Sequence, residues 1–99
     1  MQINKIRGEQ TDRLFQAILS LENVEECYQF FDDLCTISEV QSLAQRFEVA
    51  KMLQENKTYD EIQQETGAST ATISRVRRFV DYGSDGYKLA LERLNEEEK

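Results

Sequence analysis

The side chains best suited to chemistry in this sequence lie close together, between residues 69 and 78. Thr70, Ala71 and Ser74 are small or carry a hydroxyl group, and they recur at the spacing of one helix face. Such a face lets a helix backbone approach base edges in the major groove of DNA, where bulky side chains would hold it away. The hydroxyl groups can donate to or accept from a base, and the Ala71 methyl group can contact a thymine methyl. The segment therefore predicts a helix that reads double-stranded DNA.

The same segment carries side chains suited to the phosphate backbone. Arg77 and Arg78 offer guanidinium groups, which bind phosphate without reading the base sequence, and Thr72 adds a hydroxyl group. Gln63, a few residues upstream, can reach either a base edge or the backbone. The predicted DNA-binding residues are Gln63, Ser69, Thr70, Ala71, Thr72, Ser74, Arg75, Arg77 and Arg78.

Two short helices must position this face, and the sequence over about residues 58–80 is typical of a helix-turn-helix. The first helix is predicted over 59–66 and ends at Gly67, which can adopt the left-handed conformation of a tight helix stop. The second is predicted from Thr70 towards Val80. Side chains that can cap the two helices precede them: Thr58 with Glu61, and Ser69.

The inner side of this motif is apolar. Ile62 would face the second helix, and Ile73 and Val76 lie three residues apart on that helix's inner face. An ordinary αα-hairpin has the same spacing. A helix start rich in hydroxyl groups has weak helix propensity, however, so its composition favours DNA contact over plain solvent exposure.

The remaining sequence predicts further helices and no strand. It contains no proline and only four glycines, and apolar residues recur at helical spacing throughout. The other predicted helices begin near residue 11, at Asn23, at Thr36 or Ser38, and at Ser84 or Asp85. With the two helices of the motif this makes six, in a single all-α domain over residues 1–99.

The charge of the chain opposes DNA binding overall but not locally. The formal net charge is −7, whereas nucleic-acid-binding domains are usually basic. Residues 92–99 are strongly acidic, while residues 69–80 carry three arginines and no acid. A positive face on an acidic body is compatible with DNA binding, and few phosphate contacts predict weak non-specific affinity.

Composition argues against several other classes of protein. The chain has no histidine, so a zinc site is disfavoured and neither Cys27 nor Cys35 has an imidazole to activate it for catalysis. We therefore expect no enzyme activity and interpret both thiols as small core residues of a reduced, cytoplasmic protein. The sequence shows no apolar run of about 18 residues and no secretory leader, which predicts no membrane association.

Several segments of the chain also match a known family. They are residues 43–46, 59–62, 67–69, 71–75 and 81–87. Together they resemble the Trp repressor family, and within it the YerC/YecD-type branch, over nearly the whole chain. The resemblance implies an all-helical, intertwined homodimer in which helix-turn-helix heads flank a core woven from both chains.

The resemblance also implies an amino-acid corepressor. The two arginines that hold it fall at Arg46 and Arg75, and Thr36 matches the threonine at the ligand's amino-acid end. A guanidinium group is planar and can donate two parallel hydrogen bonds to a carboxylate. The family keeps a glycine after the second arginine to leave room for the indole ring, but this chain has Val76, which argues against tryptophan. Alternatively, Arg46 pairs with Glu48 or with an acid of a partner chain, and Arg75 binds phosphate.

The predicted function follows from the motif and the resemblance together. The apolar residues of the first two helices fit either a globular core or an arm that seeks a second chain, and reading a two-fold symmetric operator favours a homodimer. We therefore expect a sequence-specific DNA-binding transcriptional regulator that represses by occupying its operator. The alternative is a protein-interaction adaptor that uses the helical scaffold, the acidic body and the apolar arm without specific DNA binding.

Overall fold

The computed structural model describes residues 2–98, and over that range the chain forms seven α-helices and no strand. The helices are α1 (Ile3–Ile6), α2 (Glu9–Leu19), α3 (Val24–Leu34), α4 (Ile37–Gln54), α5 (Tyr59–Thr66), α6 (Thr70–Tyr82) and α7 (Gly86–Glu98). The predicted all-α class is confirmed. The predicted number of six helices is corrected by α1, a four-residue turn too short to show apolar periodicity.

The chain divides into two compact units, one up to Val40 and one from Gln41 onward. The boundary falls within α4. The prediction of one domain over residues 1–99 stays a prediction.

The first unit has amphipathic helices but no buried core of its own. Within the part of the chain that the structure describes, no side chain of α1, α2 or α3 is buried. Large apolar side chains stand open to solvent instead, among them Leu19 at 83% and Val24 at 71% exposure. Cys27 is exposed and Cys35, the C-cap residue of α3, is half-buried, and neither belongs to the buried core cluster. The prediction that both are core residues is therefore wrong, because α3 buries no side chain.

Local hydrogen bonds set the start of α3 as the sequence predicted. The Asn23 side chain accepts from the Glu26 N–H at 2.9 Å. The Glu26 carboxylate accepts from the Glu22 N–H at 2.8 Å, one residue earlier than in an ideal capping box.

A reciprocal capping box opens α4. Thr36, rather than Ser38, is the cap: its hydroxyl accepts from the Glu39 N–H at 3.1 Å, and the Glu39 carboxylate accepts from the Thr36 N–H at 2.8 Å. The hydrogen bond from the Thr36 backbone, followed by that from its side chain, holds the pKa of Glu39 below its ordinary value of 4.5.

The core of the second unit is built by α4, α5, α6 and α7. Its buried members share a continuous apolar cluster and are Val49, Ala50, Met52, Leu53, Ile62, Ala68, Ile73, Val76 and Leu91. Phe47 and Tyr87 pack against this cluster with their ring centroids 6.4 Å apart. The helix-turn-helix is thus held by a core shared between four helices.

Two unusual backbone positions follow helices α4 and α6. One is left-handed, and the other leaves no room for a side chain. Asn56, at φ 62°, ends α4, and the following Lys57 N–H donates to the Met52 carbonyl at 3.0 Å, as in a Schellman motif. Gly83 ends α6, where a Cβ atom would overlap the Phe79 carbonyl oxygen. Only glycine fits there without moving backbone.

We expect Glu39→Gln to reduce the loss of stability in acid. The pKa of Glu39 is lowered in the folded protein, so its stabilising contribution is present above the unfolded value and disappears as pH falls through the folded value. The free energy of unfolding of the wild type should therefore fall more steeply below about pH 4.5 than that of the variant. Urea titrations between pH 3 and 7 (roughly the range over which carboxylates titrate) measure this difference.

Glu25→Gln provides the control for that comparison. Glu25 also lies in the first turn of a helix, but its carboxylate accepts no hydrogen bond among the described residues. Equal acid slopes for Glu39→Gln and the wild type would contradict the capping box.

Candidate nucleic-acid interface

The first helix of the motif begins at the predicted cap. The Thr58 hydroxyl accepts from the Glu61 N–H at 3.2 Å, and it lies 3.2 Å from the Glu61 carboxylate, to which it can donate. The helix α5 then runs over Tyr59–Thr66, as predicted, with Ile62 fully buried. Gln63, a predicted DNA contact on this helix, is half-buried.

The turn after α5 is fixed by a network around Thr66. Gly67 adopts the predicted left-handed conformation, with φ 74° and ψ 4°. The Thr66 hydroxyl donates to the Ile62 carbonyl at 2.7 Å and accepts from the Ala68 N–H at 3.1 Å. Gln45 on α4 donates its side-chain amide to the Thr66 carbonyl at 3.0 Å. The turn is thereby tied to α4 as well as to its own helix.

Ser69 opens α6 and shares its hydrogen bonds with Thr72. The Ser69 hydroxyl accepts from the Thr72 N–H at 3.2 Å, and the two hydroxyl oxygens are also 3.2 Å apart. Both residues were predicted as DNA contacts, and both already serve the helix cap. Thr72 is half-buried, while Ser69 is exposed.

The two sides of α6 divide as the sequence predicted. Ile73 and Val76 are buried in the core at 0% and 2% exposure. The remaining predicted contacts on this helix are all exposed: Thr70, Ala71, Ser74, Arg75, Arg77 and Arg78. The small and hydroxyl-bearing side chains lie within residues 70–74, and the arginines follow within residues 75–78. We call the surface formed by these six residues the recognition face.

The arginines of the recognition face have different surroundings. The Arg77 Nε atom lies 3.4 Å from the Asp81 Oδ2 atom one turn later. The Arg78 guanidinium lies 5.3 Å from the centre of the Phe79 ring, a cation–π contact. Arg75 forms no ion pair with any described residue.

Two interactions at this site were not predicted from the sequence. The charges of the recognition helix were counted only over residues 69–80, so Asp81 was left out, although its spacing of four from Arg77 is that of a helical ion pair. The bond from Gln45 to Thr66 joins residues 21 positions apart. No local pattern indicates such a contact.

Two of the three predicted effector-binding residues belong to α4 and its cap, and the third lies on α6. Thr36 is exposed at the start of α4, where its hydroxyl already accepts the Glu39 N–H. Arg46 is exposed on α4 and Arg75 on α6, and neither is in an ion pair within residues 2–98, so the alternative pair between Arg46 and Glu48 is not observed there. Val76 is buried in the core cluster.

Comparison with known proteins finds relatives that cover nearly the whole chain. The family described as Trp repressor protein matches residues 9–95. The uncharacterized protein YerC of Bacillus subtilis (strain 168) is 64% identical over 98 residues, which cover 99% of this chain and 94% of YerC.

Two solved structures share the fold. A Staphylococcus aureus protein described as a candidate Trp repressor superposes with a TM-score of 0.92 at 62% identity, covering 96% of this chain and 95% of its own. A TrpR-like protein from Eubacterium eligens ATCC 27750 gives a TM-score of 0.90 at 59% identity, covering 93% and 95%. No helix in residues 2–98 is long and apolar enough to cross a bilayer.

Gly67→Ala should destabilise the protein by about 1–2 kcal/mol, because a side chain at φ 74° strains the backbone even though a Cβ atom there would meet nothing within 4 Å. Gly86→Ala is the matched control, since the same substitution at the first residue of α7 also meets nothing within 4 Å. It should be neutral or stabilising by about 0.5 kcal/mol. Urea unfolding of both variants measures the contrast, and equal effects would show that the turn imposes no strain.

Proposed function

The chain belongs to the Trp repressor family, and on that basis we propose that it is a sequence-specific DNA-binding transcriptional regulator that represses by occupying an operator as a homodimer. The observation that carries the proposal is the recognition face of α6. It combines exposed small and hydroxyl side chains with exposed arginines on a helix whose opposite side is locked into the core. Such a helix can enter a major groove while its opposite side stays buried in the core.

In this proposal the two halves of the recognition face have different tasks. Thr70, Ala71 and Ser74 read base edges, because their short side chains let the backbone approach. Arg77 and Arg78 bind phosphates, as does Arg75 when no effector occupies it. The other proposed contacts are Gln63 on α5, Ser69 at the N-cap of α6, and Thr72 in the first turn of α6.

The proposed homodimer is supported by apolar surface that the single chain leaves uncovered. The helices of the first unit bury none of their described side chains, and Phe15, Leu19 and Tyr28 are exposed. In the second unit Tyr82 is 81% exposed. Apolar exposure of this extent is unfavourable for an isolated soluble chain and is relieved when a second copy covers it. An intertwined pair would cover both sets.

A small effector with a carboxylate is the further element of the proposal. Arg46 and Arg75 are exposed, and among the described residues no acid neutralises either one, so both remain able to clamp a carboxylate. Val76 occupies core volume beside Arg75 in the sequence, which leaves tryptophan disfavoured.

The first test is selection of bound fragments from a genomic DNA library by the purified protein at moderate salt. We expect enrichment of a two-fold symmetric site, because two identical recognition helices read two half-sites. The double variant Thr70→Ala/Ser74→Ala should lose that enrichment while retaining the fold, since both side chains are exposed.

The outcomes of that selection separate the candidate functions. Enrichment only after addition of a pool of amino acids would support an effector. No enrichment under either condition would contradict the regulator and favour the protein-interaction adaptor. Equal enrichment by the double variant would contradict the base contacts assigned to α6.

Sedimentation velocity tests the homodimer. At micromolar concentration the protein should sediment at about twice the chain mass of 11.6 kDa. Leu19→Glu places a charge on the exposed apolar side of α2 and should shift the protein towards the monomer, whereas Gln16→Glu adds the same charge at an exposed polar position and should not. A stable single-chain species for the wild type would contradict the dimer.

A further inference from the structure

One arginine of the recognition face is already paired within its own helix. The Arg77 Nε atom is 3.4 Å from the Asp81 Oδ2 atom, and the two side chains are 52% and 44% exposed. Arg78 instead rests on the Phe79 ring, and Arg75 has no ionic partner among the described residues. Asp81 is therefore the acid that faces a proposed phosphate contact on this helix.

Helix stability does not account for this acid. Asp81 lies in the last turn of α6, where a negative charge opposes the helix dipole. The pair also has the less favourable order, with the cation on the N-terminal side and the acid four residues later. The other ion pair in the described part of the chain shows the contrast: Asp85 precedes α7 and pairs with Lys88 at 3.9 Å, so its charge favours the helix.

A phosphate that approaches Arg77 must compete with Asp81. Either the existing ion pair breaks, or the phosphate shares the guanidinium with a carboxylate of the same sign. Both routes make that interaction with phosphate less favourable. The Arg78 guanidinium carries no such penalty, because its neighbour is an uncharged ring.

We propose that Asp81 limits the sequence-independent affinity for DNA by holding Arg77 and so restraining its contact with phosphate. The inference rests on the proposed DNA-binding function. Non-specific binding comes almost entirely from phosphate contacts, whereas an operator complex is also stabilised by base contacts. Because a phosphate contact carries no sequence information, restraining it lowers the affinity for the operator and for other DNA by the same factor. Discrimination between sites is then left to the base contacts.

The test compares Asp81→Asn with Asp85→Asn. Both changes remove one negative charge from an exposed ion pair, and asparagine tolerates the left-handed φ of 65° at position 85. Binding of the full-length protein to a mixed-sequence duplex is followed by fluorescence anisotropy over a range of salt concentrations. Urea unfolding of each variant is measured beside it.

Asp81→Asn should bind the mixed-sequence duplex about two- to fivefold more tightly per recognition helix at low salt, the range expected for freeing an exposed ion pair. The slope of log K against log salt should steepen by about 0.9 for each additional phosphate that the protein neutralises. Asp85→Asn should leave both quantities unchanged. In an Arg77→Ala background, Asp81→Asn should no longer alter either one, because the acid acts through Arg77.

Three results would overturn the inference. If the wild type binds DNA and Asp81→Asn changes neither the affinity nor the salt slope, this inference is wrong while the proposed function stands. A full effect of Asp81→Asn in the Arg77→Ala background would show direct repulsion of phosphate instead. Absence of DNA binding by the wild type and all variants, in low salt, would overturn the proposed function together with this inference.

Discussion

The helix-turn-helix of this protein depends on burial of a small apolar cluster. Ile62 from α5 and Ile73 from α6 are fully buried in the same cluster as Val49 from α4. Removing such side chains from water contributes about 1.5–3 kcal/mol each, which exceeds any single hydrogen bond at the surface of the motif. Because both helices of the motif commit their apolar sides to this cluster, their other sides must face outward. The exposure of the recognition face therefore follows from the burial of the opposite side of α6.

Hydrogen bonds add direction to what burial holds together. The Thr66 hydroxyl satisfies a carbonyl of α5 and an N–H of the turn, and Gln45 satisfies the Thr66 carbonyl from α4. Helix ends leave such backbone groups without intrahelical partners, so side chains that reach them limit how the two helices can move apart. A DNA-reading helix needs this restraint, because a small displacement of its backbone misplaces every base contact.

The charge of the protein is distributed unevenly between its acidic body and α6. An overall charge of −7 disfavours contact with DNA in general. The arginines of α6 oppose that repulsion locally, and their immediate surroundings differ: an acid beside Arg77, an aromatic ring beside Arg78. In the proposed function these arginines contribute to affinity for any DNA, and the choice of a site falls to base contacts.

The sequence by itself determined the features that depend on residues within a few positions of one another. Asn23, Thr36, Thr58 and Ser69 accept the predicted capping hydrogen bonds, and Gly67 adopts the predicted left-handed turn, because a cap reaches only two or three residues along the chain. The inner and outer sides of α6 also followed from helical spacing. The Arg77–Asp81 pair was equally local and was missed because the charges of the recognition helix were counted only to residue 80.

Tertiary structure decided what local spacing cannot encode. It joined Gln45 to Thr66 across 21 positions, selected which apolar residues enter one core, and left those of the first unit, with Cys27, at the surface. An apolar stripe specifies that a face seeks burial but not the surface that buries it, since the hydrophobic effect is non-directional. For the second unit that surface lies within the chain.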